Sequence, residues 1–500
     1  MNRIQKIIPI LMAGLLHVGY SADVVIDGGI TLTNSGGSSN CDFLVVGSNT
    51  ANNGYVLDNG GTLCNASTGY IGYAGSSTNN QVLVNGGTWS NATDVYLGFS
   101  GNAGFNRIIV TNGGVWKGNG IIRVGMVSCA SNYILITGSN SVWTNNGSFR
   151  QGYSGNHNIL ELNDGAKAYF NSASFNFAVG YGSYDNEVVV NGTNTILDCS
   201  SGTAPACLVG TYGIGNNKLI VENGGYIHAR YIQVAPLENN TNNQLIITGN
   251  GSRLTCDSYI ELSFGGRSSS IIVSNGGTLA VNDTLGMRVF HTNNVITIDG
   301  TGSVFSNRYT LNLGLLGGKT NELRICNGGY VYALSNAIGQ GASAEANVER
   351  IYGNGSVLET KGVYIGENGG GVNGMVISNG GRVTGITNLV VADTSYVTNY
   401  VSGYSGGLDL RSNCALSVNG QISIVYCGRI YEPGIYWGLR WAGNHTTELE
   451  NARTAGNLSW NDGSLGPFDR GRVGIYYDPV TTNTYVGYVA GAGGTMVTVH

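Results

Sequence analysis

The sequence predicts an all-β protein, a parallel β-solenoid (β-helix) of about 15 coils with a small C-terminal cap or domain. Three observations predict it. A phrase of about 26 residues recurs over a dozen times along the 500-residue chain. Each phrase breaks into short runs rich in β-branched and aromatic residues, such as "NQVLVNGG", "TWSN" and "DVYLGF", separated by Gly, Asn and Ser. Helical periodicity is absent over the same region. Three short strands per phrase fit one turn of a rod in which every strand pairs with its counterparts above and below. At roughly 4.8 Å per coil, the rod is on the order of 70 Å long.

Residues 1–21 read as a signal peptide. Arg3 and Lys6 precede an apolar stretch from Ile7 to Val18, and the small residues Gly19 and Ser21 follow, predicting cleavage after Ser21 or Ala22. Pro9 and His17 interrupt the apolar run, which falls short of the about 20 residues a membrane span needs, and no later segment reaches that length. The mature chain is therefore expected to be exported, without a membrane span.

Residues 22–427 carry the repeat. Its units start at 54, 81, 107, 133, 159, 187, 218, 244, 270, 295, 322, 348 and 374. A looser unit precedes them, and a degenerate one, "NYVSGYSGGLDLRSN", follows. An asparagine stands before each start, at Asn53, Asn80, Asn106, Asn132, Asn158, Asn186, Asn217, Asn243, Asn294, Asn321, Asn347 and Asn373, with Ser269 the exception. A residue that performs chemistry is needed once or twice in a chain, whereas one that supports stacked units is needed in all of them. The column is therefore expected to be an internal amide ladder. Asn-Gly-Gly beginning at 59, 85, 112, 223, 275, 327 and 379 marks a corner with positive φ. Variants such as "TGSNS" and "TGNGS" replace it in intervening units, so the array alternates with a period near 52.

Residues 428–500 are not repetitive. They are denser in Trp and Arg, include one short helix around Thr446 to Ala455, and are expected to cap the last coil through Tyr436, Trp437, Leu439 and Trp441. An uncovered coil edge is a template for self-association.

Composition narrows the function classes. Charged residues make up 11% of the chain against roughly 25% in an average soluble domain. A net charge of -5 without a basic run argues against nucleic acid or an anionic membrane as partner. Of nine cysteines, Cys199 with Cys207 and Cys414 with Cys427 are close enough in sequence to close loops, and none sits in a Cys-x-x-Cys.

The alternating motif of apolar strand, "TGNGS" or "SNGG", Trp or aliphatic, then "VYIG" or "VYLG", resembles the repeats associated with type V secretion and PEP-CTERM proteins, as in bacterial autotransporter-like surface proteins. The resemblance covers roughly residues 23–392. It implies a right-handed parallel β-helix and an exported, surface-associated life, extracellular or cell-surface with the periplasm as an alternative, and it implies no single activity. The chain ends in "GGTMVTVH", without the sorting signal of one namesake or the barrel strands of the other.

No residue is assigned as catalytic, cofactor-binding or metal-binding. Trp89, Trp116 and Trp143, 27 residues apart, suggest an aromatic strip for sugars, but Leu63, Ile227, Leu254, Leu279, Phe305 and Leu358 hold that place in other coils and favour a core column. Asp257 and Asp283, one coil apart with Arg308 in the next, form the best carboxylate pair; a separation of about 5 Å would suit a retaining glycosidase. Asp94 occupies a similar place elsewhere, and Asp is a common turn residue. The histidines lack metal-ligand spacing. The expectation is a structural or adhesive protein, not an enzyme, with surface glycans or cell-surface proteins as partner classes. A carbohydrate-active β-helix enzyme and a passenger-type module lacking its own barrel are the alternatives.

Overall fold

The computed structural model describes residues 22–172, 177–201, 206–212, 215–283, 285–367, 371–401, 407–426, 434–461 and 472–490. The signal segment 1–21 and Cys427 lie outside them, and so does the Tyr436 side chain. Each of the coils up to Val289 has three strands, for example Gln81–Asn85, Thr88–Asn91 and Val95–Leu97. They stack in register and in parallel on the next coil, so that Gln81 lies under Arg107, Trp89 under Trp116 and Val95 under Ile122. The first sheet is an open file of 17 strands, from Thr31–Ser35 to Leu458–Asn461. From Val304 onward the second and third strands run together, as in Val304–Leu313 and Tyr330–Ile338, with a register shift where the corner had been. Gly434–Ala442 adds a parallel strand onto Leu408–Val418, and its other edge pairs antiparallel with Asn483–Ala490. Thr446–Thr454 forms the one α-helix among the described residues. Leu439 and Trp441 are buried against the last coil.

Inward positions alternate with outward ones along most strands, and the inward ones fill a continuous core. Trp89, Trp116 and Trp143 are fully buried and stacked, at centroid distances of 5.0 and 4.4 Å with near-parallel planes. Register places them in one column with Leu63, Ile227, Leu254, Leu279, Phe305 and Leu358. The tryptophans are core, as the substitution pattern in that column predicts. A second asparagine column, not singled out from sequence, supports them. Asn65, Asn91 and Asn145 close the corner after the second strand by donating Nδ2 to the carbonyls of Ser67, Thr93 and Gly147, at 2.6 to 2.8 Å. The indole N–H of Trp89 donates to Asn65 Oδ1 and that of Trp116 to Asn91 Oδ1, both at 2.8 Å. The matching position beneath Trp143 is Gly118, which has no side chain, and the Trp143 indole N–H is left without a partner.

The amide ladder is present. Nδ2 of Asn53 donates to Oδ1 of Asn80, and the pattern repeats through Asn106, Asn132, Asn158, Asn186 and Asn217 to Asn243, at 2.8 to 3.3 Å. Each Oδ1 also accepts the backbone N–H of the asparagine one coil below, as Asn217 Oδ1 does from Asn186 at 3.0 Å. Ser269 breaks the file. Its Oγ accepts the Asn243 backbone N–H, but the Asn243 Nδ2 has no partner. The ladder resumes from Asn294 to Asn373. A glycine after the third strand roofs the ladder in most coils, with Ala235, Ser263 and Phe290 in that place in three successive ones. At Gly180, with φ of 71°, a Cβ would sit 2.1 Å from Asn217 Cγ, so no other residue fits.

The alternation with period near 52 has a hydrogen-bond cause. In the variant units Ser252, Ser303 and Ser356 accept the N–H of Gly224, Gly276 and Gly328, the first glycine of the Asn-Gly-Gly one coil below, at 3.0 Å. Each hydroxyl also donates to a carbonyl four residues earlier, at 2.6 to 2.8 Å. One unit type supplies an open donor and the next a hydroxyl to meet it. The Asn-Gly-Gly turns have the predicted backbone: Asn59, Asn112, Asn223, Asn275, Asn327 and Asn379 all have positive φ, as do the glycines after them. At Asn85 only the following Gly86 does.

Cys199 and Cys207 are buried thiols joined by a side-chain hydrogen bond, which together with burial pushes Cys199 well above the usual thiol range. No disulfide joins them.

Candidate functional site

Asp257 and Asp283 each have a neighbour of their own. Asp257 Oδ2 lies 2.9 Å from His228 Nε2, and the other ring nitrogen, Nδ1, lies 3.6 Å from Asp198 Oδ2, so one imidazole is held between carboxylates on either side of it along the rod. Asp283 accepts a hydrogen bond from Ser258 at 3.1 Å. Arg308 is exposed at the bulge of its strand. Asp94 pairs with Arg123 and accepts the backbone N–H of Ile121. Sequence spacing did not reveal the grouping of Asp198, His228 and Asp257, because the three residues come from different coils and none recurs in a column.

The third strands, with the corners that follow them, carry an outward strip of aromatic and guanidinium groups that sequence reading also missed. Tyr70 stacks on Tyr96 at 5.3 Å, Tyr73 on Phe99 at 5.2 Å and Tyr153 on Tyr181 at 5.1 Å. Arg123 lies over Tyr96 at 5.1 Å and Arg150 over Tyr181 at 4.7 Å. The signal was legible in phrases such as "YIGYAG" and "YLGFSG", where one aromatic precedes the corner and one follows it. Because these rings stack on their counterparts in the next coil, their faces cover one another and their edges point outward. Such a strip clamps neighbouring coils together.

The concave feature lies on the first sheet, just outside the amide ladder. A trough of about 680 Å³ crosses five coils, from His157 to Ser268. It is built from two columns. One is the residue before each ladder asparagine, held at positive φ in His157, Asp185, Asn216, Asn242 and Ser268. The other is the first residue of each strand: Ile159, Glu187, Lys218 and Gln244. The buried ladder beneath fixes both columns. His157 Nε2 lies 3.4 Å from Asp185 Oδ2, and Lys218 Nζ lies 3.9 Å from Glu187 Oε2. A second hollow of about 500 Å³ continues past His157 towards Tyr133 and Phe105. Burial, and then a hydrogen bond to Glu161, hold the Tyr133 phenol neutral.

The trough contains unused hydrogen-bonding groups. In the same outward column nearer the start of the rod, Asn79 Nδ2 donates to Asn52 Oδ1 at 2.6 Å, and further along Thr320 Oγ1 donates to Asn293 Oδ1 at 2.5 Å. Asn216, Asn242, Gln244 and Ser268 make no side-chain hydrogen bond among the described residues. No grouping of three or more His, Cys, Asp or Glu suited to a metal ion occurs among the described residues, and no helix among them is long and apolar enough to cross a membrane.

No protein-family profile and no curated protein matches this chain. Among solved structures, the crystal structure of a TibC-catalysed, hyper-glycosylated TibA fragment is similar over 82% of this chain and 92% of that one, at 12% identity and a TM-score of 0.18.

Proposed function

We propose that this chain is an exported bacterial β-solenoid with a structural or adhesive role outside the cytoplasm, working through the trough on its first sheet. The observation that carries the reading is the row of amides without partners in that trough, set beside a ladder whose asparagines bond to one another on both sides of the break at Ser269. A recognition surface needs groups left open to a partner, held still by groups that are not. The apolar leader-like segment Ile7 to Val18 and the repeat motif support export to the extracellular space, the cell surface or the periplasm. Uncovered coil edges add self-association to the proposed behaviour.

Fractionating cells that express the tagged chain, and measuring retention of the purified protein on cell surfaces and extracellular matrix, tests this reading. Recovery in the cytoplasm alone, or retention no greater than that of the unfolded chain, would sink it. The rival reading, a polysaccharide lyase or glycoside hydrolase, draws on Asp257 and Asp283. Turnover of any polysaccharide that is lost in an Asp257→Ala, Asp283→Ala double variant would replace the adhesive role with that one.

A further inference from the structure

We infer that the trough holds an extended, uncharged oligosaccharide lying along the rod axis. The inference rests on the trough being the contact surface, and it adds the chemistry of what is contacted. Three features of the site point to that class.

The first is direction. The trough runs across the strands, and the backbone groups of its floor are already used in pairing, as between Lys218 and Gln244. A peptide lying there cannot add itself as a strand, which is the main way an extended chain docks on a sheet through its backbone. Recognition must therefore pass through side chains.

The second is charge. The trough's one lysine, Lys218, lies 3.9 Å from Glu187, and Asp185 stands beside the His157 ring, so the site offers no surplus cation to an anionic polymer. The third is the kind of open group. Asn216, Asn242 and Gln244 each present a carbonyl acceptor beside an NH₂ donor, and Ser268 presents a hydroxyl. A sugar hydroxyl both donates and accepts, so a carboxamide meets it either way round, whereas a carboxylate or ammonium ligand would use half of each amide and repel the rest. Ile159, 39% exposed, gives an apolar patch at one end for the C–H face of a ring. The open groups recur at the coil spacing of about 4.8 Å, close to the length of one pyranose in an extended chain, so successive rings meet successive coils.

The test is calorimetric titration of the full chain with four neutral hexasaccharides (of cellulose, xylan, mannan and chitin) and with oligogalacturonate. At least one neutral ligand is expected to bind and oligogalacturonate is not. An Asn216→Ala, Asn242→Ala double variant should weaken binding by about tenfold or more with its unfolding midpoint unmoved. An Asn52→Ala, Asn79→Ala variant, which removes amides that satisfy each other, should bind as the parent does. Absence of binding by all four neutral ligands, preference for oligogalacturonate, or equal affinity in the Asn216, Asn242 variant would each overturn the inference. The outcome remains separable from the broader reading. A chain retained on cell surfaces that ignores all the saccharides keeps the adhesive role and loses this ligand class, while a chain that does neither loses both.

Discussion

The coils up to Val289 and those from Val304 share one wall and differ in nearly everything it encloses. Both stand on the amide ladder, which runs from Asn53 to Asn243 and again from Asn294 to Asn373. The earlier coils have three strands and, from Trp89 to Phe177, an interior filled by Trp and Phe side chains. The later coils have two strands, a filling that is aliphatic apart from Phe305, and a buried acid, Glu349, with Asn336 for company. The difference teaches that one corner is enough to specify the repeat, and that the rest of the cross-section is free to change provided its polar groups find partners.

In the earlier coils those partners come from the same columns one coil away: indole to corner amide and glycine N–H to serine hydroxyl. In the later coils Asn336 Nδ2 donates to Glu349 Oε2 at 2.7 Å, while Glu349 Oε1 and Asn336 Oδ1 are left over. Two acceptor oxygens cannot serve each other. A proton on the carboxyl turns one into a donor, and burial pushes the Glu349 pKa up to about 8, so the pair is carried neutral at pH 7.

Four variants break or sharpen this contrast. Trp116→Ala empties the middle of the indole stack and strips Asn91 Oδ1 of its donor. Chemical denaturation should register a loss of about 3 to 5 kcal/mol, and a loss under about 1 would mean the stack does not brace the earlier coils. Glu349→Gln separates the two interiors by pH. Between about 4.5 and about 8 the folded state keeps a proton that the unfolded chain has released. The parent should therefore lose stability as pH rises, by up to about 1.4 kcal/mol per pH unit in that window. The glutamine variant should lack this component, and parallel stability curves for the two proteins would refute the neutral pair.

Asn217→Ala, in the shared wall, deprives Asn186 of the oxygen that accepts both its N–H and its Nδ2. A cost of about 1 to 3 kcal/mol is expected, against a few tenths for Asn216→Ala one residue away on the outside. Equal midpoints for those two variants would dissolve the distinction between ladder and trough. The smallest effect is a gain: Ser269→Asn, made together with Ala235→Gly to leave the space that Gly210 leaves over Asn243, offers the Asn243 Nδ2 its missing acceptor, and should raise stability by about 0.5 to 1.5 kcal/mol. An unchanged or lowered midpoint would show that the break at Ser269 is already relaxed.

What could be read in the sequence follows from repetition. The ladder, the Asn-Gly-Gly corners and the buried tryptophans occur at fixed intervals, and a column with one residue type or one hydrophobic class is visible without coordinates. Strand starts from Gly54 to Gly374 stand at the residues where the repeat places them. Features made once were not legible. Glu349 lies between Leu323 and Met375 in a core column, and nothing in its neighbourhood along the chain marks it as buried. The trough is assembled from residues that precede the ladder asparagines and vary from coil to coil, so their lack of pattern hid that they share one surface. His228 meets Asp198 and Asp257 only because strands 29 or 30 residues apart are stacked.

The gap in the amide file at Ser269 has a mechanical consequence. Backbone bonds in this rod point along its axis, so tension between its ends stretches every coil-to-coil junction at once, each bearing the same force. Links loaded in series part at the weakest. Between Asn53 and Asn373 the junction of the Asn243 and Ser269 levels lacks a side-chain bond that the junction before it has, and under load it is where that stretch should first come apart, leaving two ladder-bearing segments that can each close again once the force is released.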